Sequence, residues 1–461
     1  MVNNQPKRIK VLVLFGLIFI GACVDRIIDP ISFNQPPIAD AGFEKLVTLQ
    51  SSPIQLDGHA SHDLDGKPLS FFWELKSKPD ESDAYLVEPK SVTPYLSVDL
   101  VGTYEVSLVV QNELAVSEVD TVAITVVNNA KNIILLIGDG MGFEQVRAAG
   151  MYRHGSDGTL SFESFPFHGR VSTHSASGVP TDSAAAATAM ATGRKVNNGV
   201  ISSAIPGDGS PLMTILERFK AKGAVTGLLT TTTITHATPA AFGAHEFSRK
   251  NQFEIGRDYL LESQPDILMG GAQFVDSASA LEAGYTVVTS RESLFSLDRG
   301  RSQKVWGQFG ATNLPYEGDG LGDLPHLSEM VETALDILDN DPDGFFLMVE
   351  GGRIDHAGHI NDLYKNIFET LEFSRASRVV LDWASTNKDT LVIVTADHET
   401  GGLTVKENNG LGVLPDVIWK TTDHTSNDVP VYALGVNADQ VNTAIDNTFI
   451  YELMLSTAFG N

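Results

Sequence analysis

The sequence predicts an α/β fold with a mainly parallel central sheet flanked by helices, preceded by a small β-sandwich domain. Two patterns lead to this prediction. In the larger C-terminal part, short runs that are apolar at every position alternate with helical patterns, as expected for parallel strands buried on both faces. In the N-terminal part, short segments of alternating polarity are separated by turn residues, which is typical of an antiparallel sandwich.

The composition is that of an ordinary globular protein with a strong acidic excess. The chain has 461 residues, of which 42% are apolar and 20% charged, and its formal net charge is -26. Such a charge argues against a nucleic-acid partner and against electrostatic binding to an anionic membrane. Solubility explains most of this acidity, and some of the acidic groups are expected to serve as metal ligands.

The N-terminus has the features of an export signal. Lys7, Arg8 and Lys10 precede an apolar run at 11–20, which is too short to span a bilayer as a stable helix. The following Ile-Gly-Ala-Cys resembles a bacterial lipobox, so residues 1–22 are predicted to be a signal peptide and Cys23 to be lipidated. An ordinary signal peptide with a chance cysteine is the alternative. Cys23 is the sole cysteine of the chain, so no internal disulfide is expected.

These features predict an exported, membrane-anchored lipoprotein, in the periplasm or at the cell surface, with a slight preference for the outer membrane. Residues 23–34 would form a lipidated tether.

Residues 35–128 form the predicted β-sandwich. Segments 102–110 and 120–127 show a clear two-residue period, and about seven short strands are expected. The phrases Pro-Pro-Ile-Ala-Asp-Ala-Gly, Leu-Asp-Gly, Asp-Leu-Asp-Gly and Gly-Thr-Tyr resemble the PKD domain, an immunoglobulin-like module. The resemblance implies a spacer that contacts a surface protein or a polysaccharide. Asp63 and Asp65 either form a turn, which is the favoured interpretation, or bind calcium.

Apolar runs at 132–137, 226–230, 344–350 and 390–397 are the predicted strands of the large domain, which spans 131–461, and helical patterns cover 212–222, 327–340 and 362–385. Ligands of such sheets bind beyond the carboxyl ends of the strands. Asp139, Glu350 and Asp397 each lie at the end of an apolar run, so these carboxylates should converge on one edge of the sheet.

Histidines accompany the carboxylates. Asp355 and His359 are four residues apart and share a face if the segment is helical. His398 follows Asp397 directly, and His424 precedes another strand. Mixed imidazole and carboxylate ligands suit Zn²⁺, whereas an all-oxygen set suits Mg²⁺.

Ser183 begins an alanine-rich segment with strong helix propensity and is expected in the first helical turn. A serine at this position is often only a helix cap. Beside a metal cluster, however, its hydroxyl becomes a nucleophile, and the ligand-bearing segments favour that interpretation.

The segments that carry these residues resemble the alkaline phosphatase family. The matching phrases are Leu-Ile-Gly-Asp-Gly-Met-Gly around Asp139, Thr-Asp-Ser-Ala-Ala-Ala-Ala-Thr-Ala around Ser183, His-Ala-Thr-Pro-Ala-Ala with a later Ser-Arg-Lys, Val-Glu-Gly-Gly-Arg-Ile-Asp-His-Ala-Gly-His, Thr-Ala-Asp-His-Glu-Thr-Gly-Gly, and Asp-His-Thr. They occur in family order across residues 131–460. The resemblance therefore implies that the predicted α/β domain has the alkaline phosphatase-like fold, with a mainly parallel central sheet flanked by helices.

The resemblance also implies individual roles. Ser183 would be the nucleophile that becomes phosphoserine, and Arg249 the bidentate phosphate clamp. Three metal ions would be held: the first zinc by Asp355, His359 and His424; the second zinc by Asp139, Asp397 and His398; and a third metal, usually Mg²⁺, by Thr238, Glu350 and the bridging Asp139.

Three further residues are implied around these ligands. Asp182 is expected to orient Arg249, and His236 to tune the metal preference of the third site. His356 is expected to reach phosphate through water, and simple packing is the alternative for both histidines. The short segment 404–422 and the lack of disulfides weaken the expectation of a homodimer.

The expected function is broad hydrolysis of small-molecule phosphate monoesters for phosphate acquisition. A diesterase is disfavoured because such enzymes usually use threonine as the nucleophile and lack the third site. A sulfatase is disfavoured because its modification motif is absent from the segment around Ser183. A non-catalytic surface protein is disfavoured because no implied ligand is missing.

Overall fold

The computed structural model describes residues 35–301 and 303–460. The predicted signal peptide, the tether and Cys23 lie outside these residues. Within them, no helix combines the length and the apolar character needed to cross a membrane.

The described residues form 21 strands and eleven α-helices, with four short 3-10 helices. The strands are β1 (Lys45–Thr48), β2 (Ile54–Gln55), β3 (Ser70–Ser77), β4 (Tyr85–Val87), β5 (Tyr95–Ser97), β6 (Gly102–Gln111), β7 (Asp120–Val127), β8 (Asn132–Gly138), β9 (Phe167–Ser172), β10 (Val225–Thr233), β11 (Ile267–Gly271), β12 (Thr286–Val288), β13 (Val305–Gln308), β14 (Phe345–Gly351), β15 (Thr390–Thr395), β16 (Glu399–Thr400), β17 (Thr404–Glu407), β18 (Asp416–Ile418), β19 (His424–Thr425), β20 (Val429–Gly435) and β21 (Ala444–Asp446). The α-helices are α1 (Phe143–His154), α2 (Ser183–Thr192), α3 (Ile215–Lys222), α4 (Ala237–Gly243), α5 (Gln252–Leu261), α6 (Ser277–Glu282), α7 (Arg291–Phe295), α8 (Leu327–Leu338), α9 (Arg353–His359), α10 (Leu363–Ala384) and α11 (Asn447–Phe459). The 3-10 helices are Leu49–Ser51, Ser161–Ser164, Glu317–Asp319 and Ala438–Val441.

The N-terminal unit is a two-sheet sandwich of strands β1 to β7. One sheet has the order β1-β7-β6-β3 and the other β2-β5-β4. The alternation predicted for β6 and β7 places Tyr104, Leu108 and Ile124 in a core of their own, where each is fully buried. The predicted β-sandwich is therefore confirmed.

The carboxylate of Asp63 is used within its turn. Its Oδ1 accepts hydrogen bonds from the backbone N–H of Asp65, at 2.8 Å, and of Lys67, at 3.2 Å. Its Oδ2 accepts from Nδ2 of Asn112 at 2.5 Å, and this bond holds the pKa of Asp63 below its usual value. The turn interpretation accounts for this residue without calcium.

The large domain is built on a ten-stranded sheet of order β12-β13-β11-β10-β14-β8-β15-β20-β9-β21. The seven strands from β12 to β15 are parallel, whereas β20 runs antiparallel to both of its neighbours. Strands β8, β14 and β15 are buried at every position, as their continuous apolar runs predicted. The prediction of an α/β fold with a mixed, mainly parallel sheet is confirmed.

Helices flank this sheet as two groups, one containing α1, α8 and α10 and the other α2, α3, α4 and α11. The predicted helix at 212–222 begins later, at Ile215, because Thr214 is its N-cap. The Thr214 hydroxyl accepts the backbone N–H of Glu217 at 3.2 Å, and the Glu217 carboxylate accepts that of Thr214 at 2.8 Å.

The sandwich contacts the large domain through Asn437, which is 1% exposed and has a left-handed φ of 59°. Its Oδ1 accepts from the backbone N–H of Thr48 at 2.9 Å and from the Ser51 hydroxyl at 2.8 Å. Its Nδ2 donates to the hydroxyls of Thr48, at 3.2 Å, and Thr457, at 3.0 Å. All four polar positions of this amide are thus used at the junction.

We predict that Asn437→Gly lowers the free energy of unfolding by about 1–3 kcal/mol, because buried partners lose their hydrogen bonds while glycine retains the positive φ. Thermal and urea denaturation measure the change. Asn442→Gly, at an exposed asparagine nearby, is the control and should cost less. Equal effects of the two substitutions would show that the junction does not depend on this amide.

Candidate active site

The carboxyl ends of three adjacent parallel strands meet at one edge of the sheet. In the strand register, Glu350 on β14 and Thr395 on β15 both pair with Ile137 on β8. Asp139 follows β8 by one residue, and Asp397 follows β15 by two. The three carboxylates therefore converge on one edge of the sheet, and all three are fully buried.

Gly140 allows the chain to pass close to the next ligand segment. Its φ is +73°, and a Cβ at this position would lie 2.8 Å from Cα of Asp355. The Gly140 N–H donates to Oδ1 of Asp397 at 3.1 Å. No larger residue fits between the segments of Asp139 and Asp355 without moving one of them.

Ser183 is the first residue of α2 and is buried. Asp182 is the N-cap of the helix, and its Oδ1 accepts the backbone N–H of Ala185 at 3.0 Å. Ser183 thus leaves capping to its neighbour, and its Oγ lies 3.3 Å from Nε2 of His398.

Arg249 is held beside Ser183 by two groups. Its Nη1 donates to Oδ2 of Asp182 at 3.1 Å, and its Nη2 lies 3.1 Å from Nε2 of His236. The same Asp182 oxygen accepts the backbone N–H of Gly199 at 3.0 Å. The structure therefore places Asp182 between the helix and the guanidinium, where it can orient Arg249.

Asp355, His359 and His424 form one cluster, and His398 also lies within metal-ligand reach of Asp355 and His424. Asp355 and His359 lie on α9, with 3.3 Å between Oδ2 and Nε2. Nδ1 of His359 faces the carbonyl of Thr422 at 2.5 Å, and Nδ1 of His424 faces that of Thr181 at 2.9 Å. Each carbonyl fixes the proton on Nδ1, which leaves Nε2 free to bind a cation.

The two Nε2 atoms lie only 3.2 Å apart. If both rings are neutral, their lone pairs repel each other unless a proton or a metal ion lies between them. The hydrogen bond with Asp355, together with its charge, raises the pKa of His359 to about 9, so this ring is protonated when no metal is bound. This geometry fits a shared cation.

Asp139, Asp397 and His398 form a second cluster, in which all three residues are fully buried. Nε2 of His398 lies 3.5 Å from Oδ1 of Asp139 and 3.2 Å from Oδ2 of Asp397. Burial lowers the pKa of His398 well below its usual value, so the ring is neutral and can act as a ligand.

The third cluster consists of Asp139, His236 and Glu350. Nδ1 of His236 lies 3.9 Å from Oε1 of Glu350, so His236 is part of the cluster rather than only beside it. Thr238 lies on α4, and its buried hydroxyl has no hydrogen-bond partner within the described residues. Thr230 and Thr232 donate to the other oxygen of Glu350.

Unpaired buried donor and acceptor atoms show that these residues fit metal ions. Among the described residues, the following atoms of the clusters are buried without a hydrogen-bond partner: both oxygens of Asp139, Oδ2 of Asp397, Oε1 of Glu350, Nδ1 of His236 and Oγ1 of Thr238. Buried polar atoms are rarely left unpaired without a reason. Imidazole and carboxylate donors in the first two clusters suit Zn²⁺, and the more oxygen-rich third cluster also suits Mg²⁺.

The pKa shifts lead to the same interpretation. Burial and the charge of Asp397 raise the pKa of Asp139 well above its usual value. Burial and the charge of Asp355 raise that of Asp397 to about 7. These two carboxylates resist ionisation until positive charge is supplied. Despite burial, the adjacent His236 lowers the pKa of Glu350, and the adjacent His359 lowers that of Asp355.

His356 lies outside the three clusters. Its ring centroid is 5.9 Å from that of His236, with the rings nearly perpendicular. Burial, together with His236, lowers its pKa to about 4, so the imidazole is neutral at physiological pH. A neutral ring at this position can hydrogen-bond a water molecule without adding positive charge.

Sequence reasoning missed two residues that hold the clusters in place. Glu399 is 4% exposed and accepts hydrogen bonds from Nε2 of Gln145 at 2.8 Å and from the Thr425 hydroxyl. It thereby links α1, which follows Asp139, to the segment of His424. The Thr400 hydroxyl donates to Oδ1 of Asp355 at 2.5 Å. Glu399 and Thr400 lie within the Thr-Ala-Asp-His-Glu-Thr-Gly-Gly motif. Their position directly after the ligands Asp397 and His398 was the signal that could have identified them.

We predict that Asp139→Asn stabilises the metal-free protein at alkaline pH by about 1–3 kcal/mol, because it removes an unpaired buried charge beside other carboxylates. Urea denaturation after chelator treatment measures this change. Asp80→Asn, at an exposed aspartate, is the control and should have little effect. In the same assay, added zinc should stabilise the wild type more than Asp139→Asn. A less stable metal-free variant would contradict the inferred repulsion.

Comparison with known sequences supports a family assignment. The sequence profile of the alkaline phosphatase family matches residues 130–271 and 256–417. The chain is 41% identical over 295 residues to alkaline phosphatase 3 of Bacillus subtilis, a match that covers 60% of this chain and 62% of that protein. The chain thus spans less than two thirds of the length of this relative.

Solved structures agree with the sequence matches. A cold-active alkaline phosphatase from a psychrophilic Shewanella species superposes with a TM-score of 0.65 and 32% identity, covering 70% of this chain and 99% of that one. A histidine-to-aspartate variant of the alkaline phosphatase of the Antarctic bacterium TAB5, with Mg bound in its M3 site, matches with a TM-score of 0.64 and 30% identity over 72% of this chain and 99% of that one. Together with the three ligand clusters, these matches show that the chain belongs to the alkaline phosphatase family.

Proposed function

We propose that this protein is an exported, metal-dependent alkaline phosphatase that hydrolyses small-molecule phosphate monoesters with broad specificity. The observation that carries the proposal is the position of the Ser183 hydroxyl, 3.3 Å from Nε2 of His398 at the edge of the metal clusters. Arg249 lies beside it, on the same Asp182 that caps the helix of Ser183. A nucleophile, a phosphate clamp and metal ligands thus meet at one point.

The first two clusters would hold two zinc ions, through Asp355, His359 and His424 and through Asp139, Asp397 and His398. The third would hold Mg²⁺ through Asp139, Glu350 and Thr238, with His236 close enough to take part. Bound ions at these positions supply positive charge that lowers the pKa of the serine hydroxyl and offsets charge on the phosphoryl oxygens.

The residues of the chain carry the steps as follows. Oγ of Ser183 loses its proton to solvent and attacks phosphorus in line with the ester oxygen. A phosphoserine forms as the P–O bond to the leaving oxygen breaks, and the departing alkoxide takes a proton from water. Arg249 holds two phosphoryl oxygens through its planar guanidinium while phosphorus is transferred from the ester oxygen to Oγ of Ser183. Water then attacks the phosphoserine, which releases phosphate and restores the Ser183 hydroxyl.

Monoesters are favoured over diesters because of the charge arrangement. A monoester dianion presents three unsubstituted oxygens, which match the guanidinium and the adjacent clusters. The third cluster, with Glu350 and Thr238, is the feature that disfavours the diesterase alternative. Its acidic and neutral ligands complete a site for a third cation next to the phosphoryl group.

We predict that Ser183→Ala lowers kcat/KM for an aryl phosphate monoester by about 10³-fold or more, because the covalent step loses its nucleophile. Thr192→Ala, at the other end of the same helix, is the matched control and should retain activity. Metal content should stay equal in all three proteins. Undiminished hydrolysis by Ser183→Ala with metals bound would refute the mechanism, and faster turnover of a diester by the wild type would refute the substrate class.

The domain assignment is part of the same proposal: a signal peptide at 1–22, a lipidated tether at 23–34, a PKD-like sandwich at 35–128 and a catalytic domain at 131–461. The enzyme would be anchored through Cys23, in the periplasm or at the cell surface, and would release phosphate for uptake. The sandwich would contact a surface protein or a polysaccharide, and a homodimer is a further hypothesis that sedimentation of the purified protein tests.

We predict that Cys23→Ser moves the protein from the membrane fraction to the soluble fraction and abolishes its labelling by radioactive fatty acid. The reason is that thioether-linked lipid requires the cysteine thiol. Cell fractionation and metabolic labelling in a bacterial host measure both effects. An unlabelled, soluble wild-type protein would instead support the ordinary signal peptide.

A further inference from the structure

A second group of potential metal ligands lies outside the three clusters of the active site. It consists of Glu317 on a 3-10 helix, His326 at the N-cap of α8, and Glu372 on α10. One donor atom of each residue lies within 4.8 Å of the other two, and Nδ1 of His326 is 2.9 Å from Oε2 of Glu317. Three separate elements thus bring an imidazole and two carboxylates together.

The ligand-bearing elements are held in place from outside the cluster. The backbone N–H of Ser328 donates to Oε1 of Glu372 at 2.9 Å, and Arg375 donates to its other oxygen at 3.1 Å. The backbone N–H of Glu317 donates to Oε1 of Glu369 at 2.8 Å. The side chain of Glu372 is 2% exposed and that of His326 is 35% exposed, so the group is fixed on one side and open to solvent on the other.

An independent observation is the buried carboxylate of Glu369, which is 4% exposed and lies against the turn of Glu317. A further buried carboxylate therefore lies next to the segment of Glu317.

We propose that Glu317, His326 and Glu372 form a fourth metal site, which binds a divalent transition ion of the zinc class. In a tetrahedral site with metal–ligand distances of about 2.0–2.2 Å, the donor atoms lie somewhat closer to one another than the 4.8 Å limit that these three residues meet. Small side-chain rotations would bring the donor atoms to the spacing of a bound metal. The imidazole favours Zn²⁺ or Mn²⁺ over Ca²⁺, which prefers oxygen ligands alone. Solvent completes the coordination on the open side.

A protonated His326 that pairs with Glu317 is the alternative without metal, and metal content separates the two. The full-length protein is equilibrated with zinc, freed of unbound metal and analysed for zinc per chain by mass spectrometry. His326→Asn keeps a good helix N-cap but lacks imidazole, and Glu372→Gln keeps the shape of a second ligand. Asp319→Asn removes the same charge from the 3-10 helix of Glu317 and is the control, since Asp319 pairs with Lys365 outside the cluster.

The expected result is that the wild type and Asp319→Asn each hold one zinc ion more than either ligand variant. Hydrolysis of phosphate monoesters should be unchanged, since none of these residues belongs to the active site. Equal zinc content in the wild type and both ligand variants would overturn the proposal in favour of the ion pair. If one variant fails to fold, the other decides the outcome, and failure of the proposed phosphatase activity leaves this measurement intact.

Discussion

The mutual repulsion of buried carboxylates at one edge of the sheet is the constraint on which the rest of the structure depends. Parallel strands β8, β14 and β15 end in register, and Asp139, Glu350 and Asp397 are thereby forced into one buried volume. Water cannot solvate them there, and no lysine forms a salt bridge with them within the described residues. Bound cations would relieve this repulsion, so the fold brings together carboxylates that are suited to hold metal ions.

The residues around this edge fix the orientation of the ligands rather than neutralise their charge. Backbone carbonyls of Thr181 and Thr422 hold the outer nitrogens of His424 and His359. Thr400 holds one oxygen of Asp355. Because these partners are uncharged, the ligands keep their full affinity for a cation. Arg249 differs from these partners because it is charged. Its ion pair with Asp182 partly neutralises this charge before a phosphate binds.

The sequence was sufficient to predict which segments meet, because apolar runs identify buried strands and a parallel sheet aligns their carboxyl ends. The sandwich and the start of the helix at Ser183 were predicted for similar reasons of local pattern. The resemblance associated His236 with the third site, but its approach of 3.9 Å to Glu350 depends on contacts between different elements and could not be predicted from the sequence. Every residue has a backbone carbonyl, so the sequence does not reveal which carbonyls hold His359 and His424. The sequence also does not reveal that the sandwich contacts the large domain through Asn437.

The position of the sandwich follows from the topology of β20. This strand runs antiparallel to β15, so Gly435 pairs with Leu391 near the amino end of β15, whereas Asp397 follows the carboxyl end. Leu46 of the sandwich bridges to Val436, and Asn437 comes next. The sandwich is therefore attached at the edge of the sheet opposite to the metal ligands. Ser183, beside the metal ligands, therefore lies away from the attached sandwich.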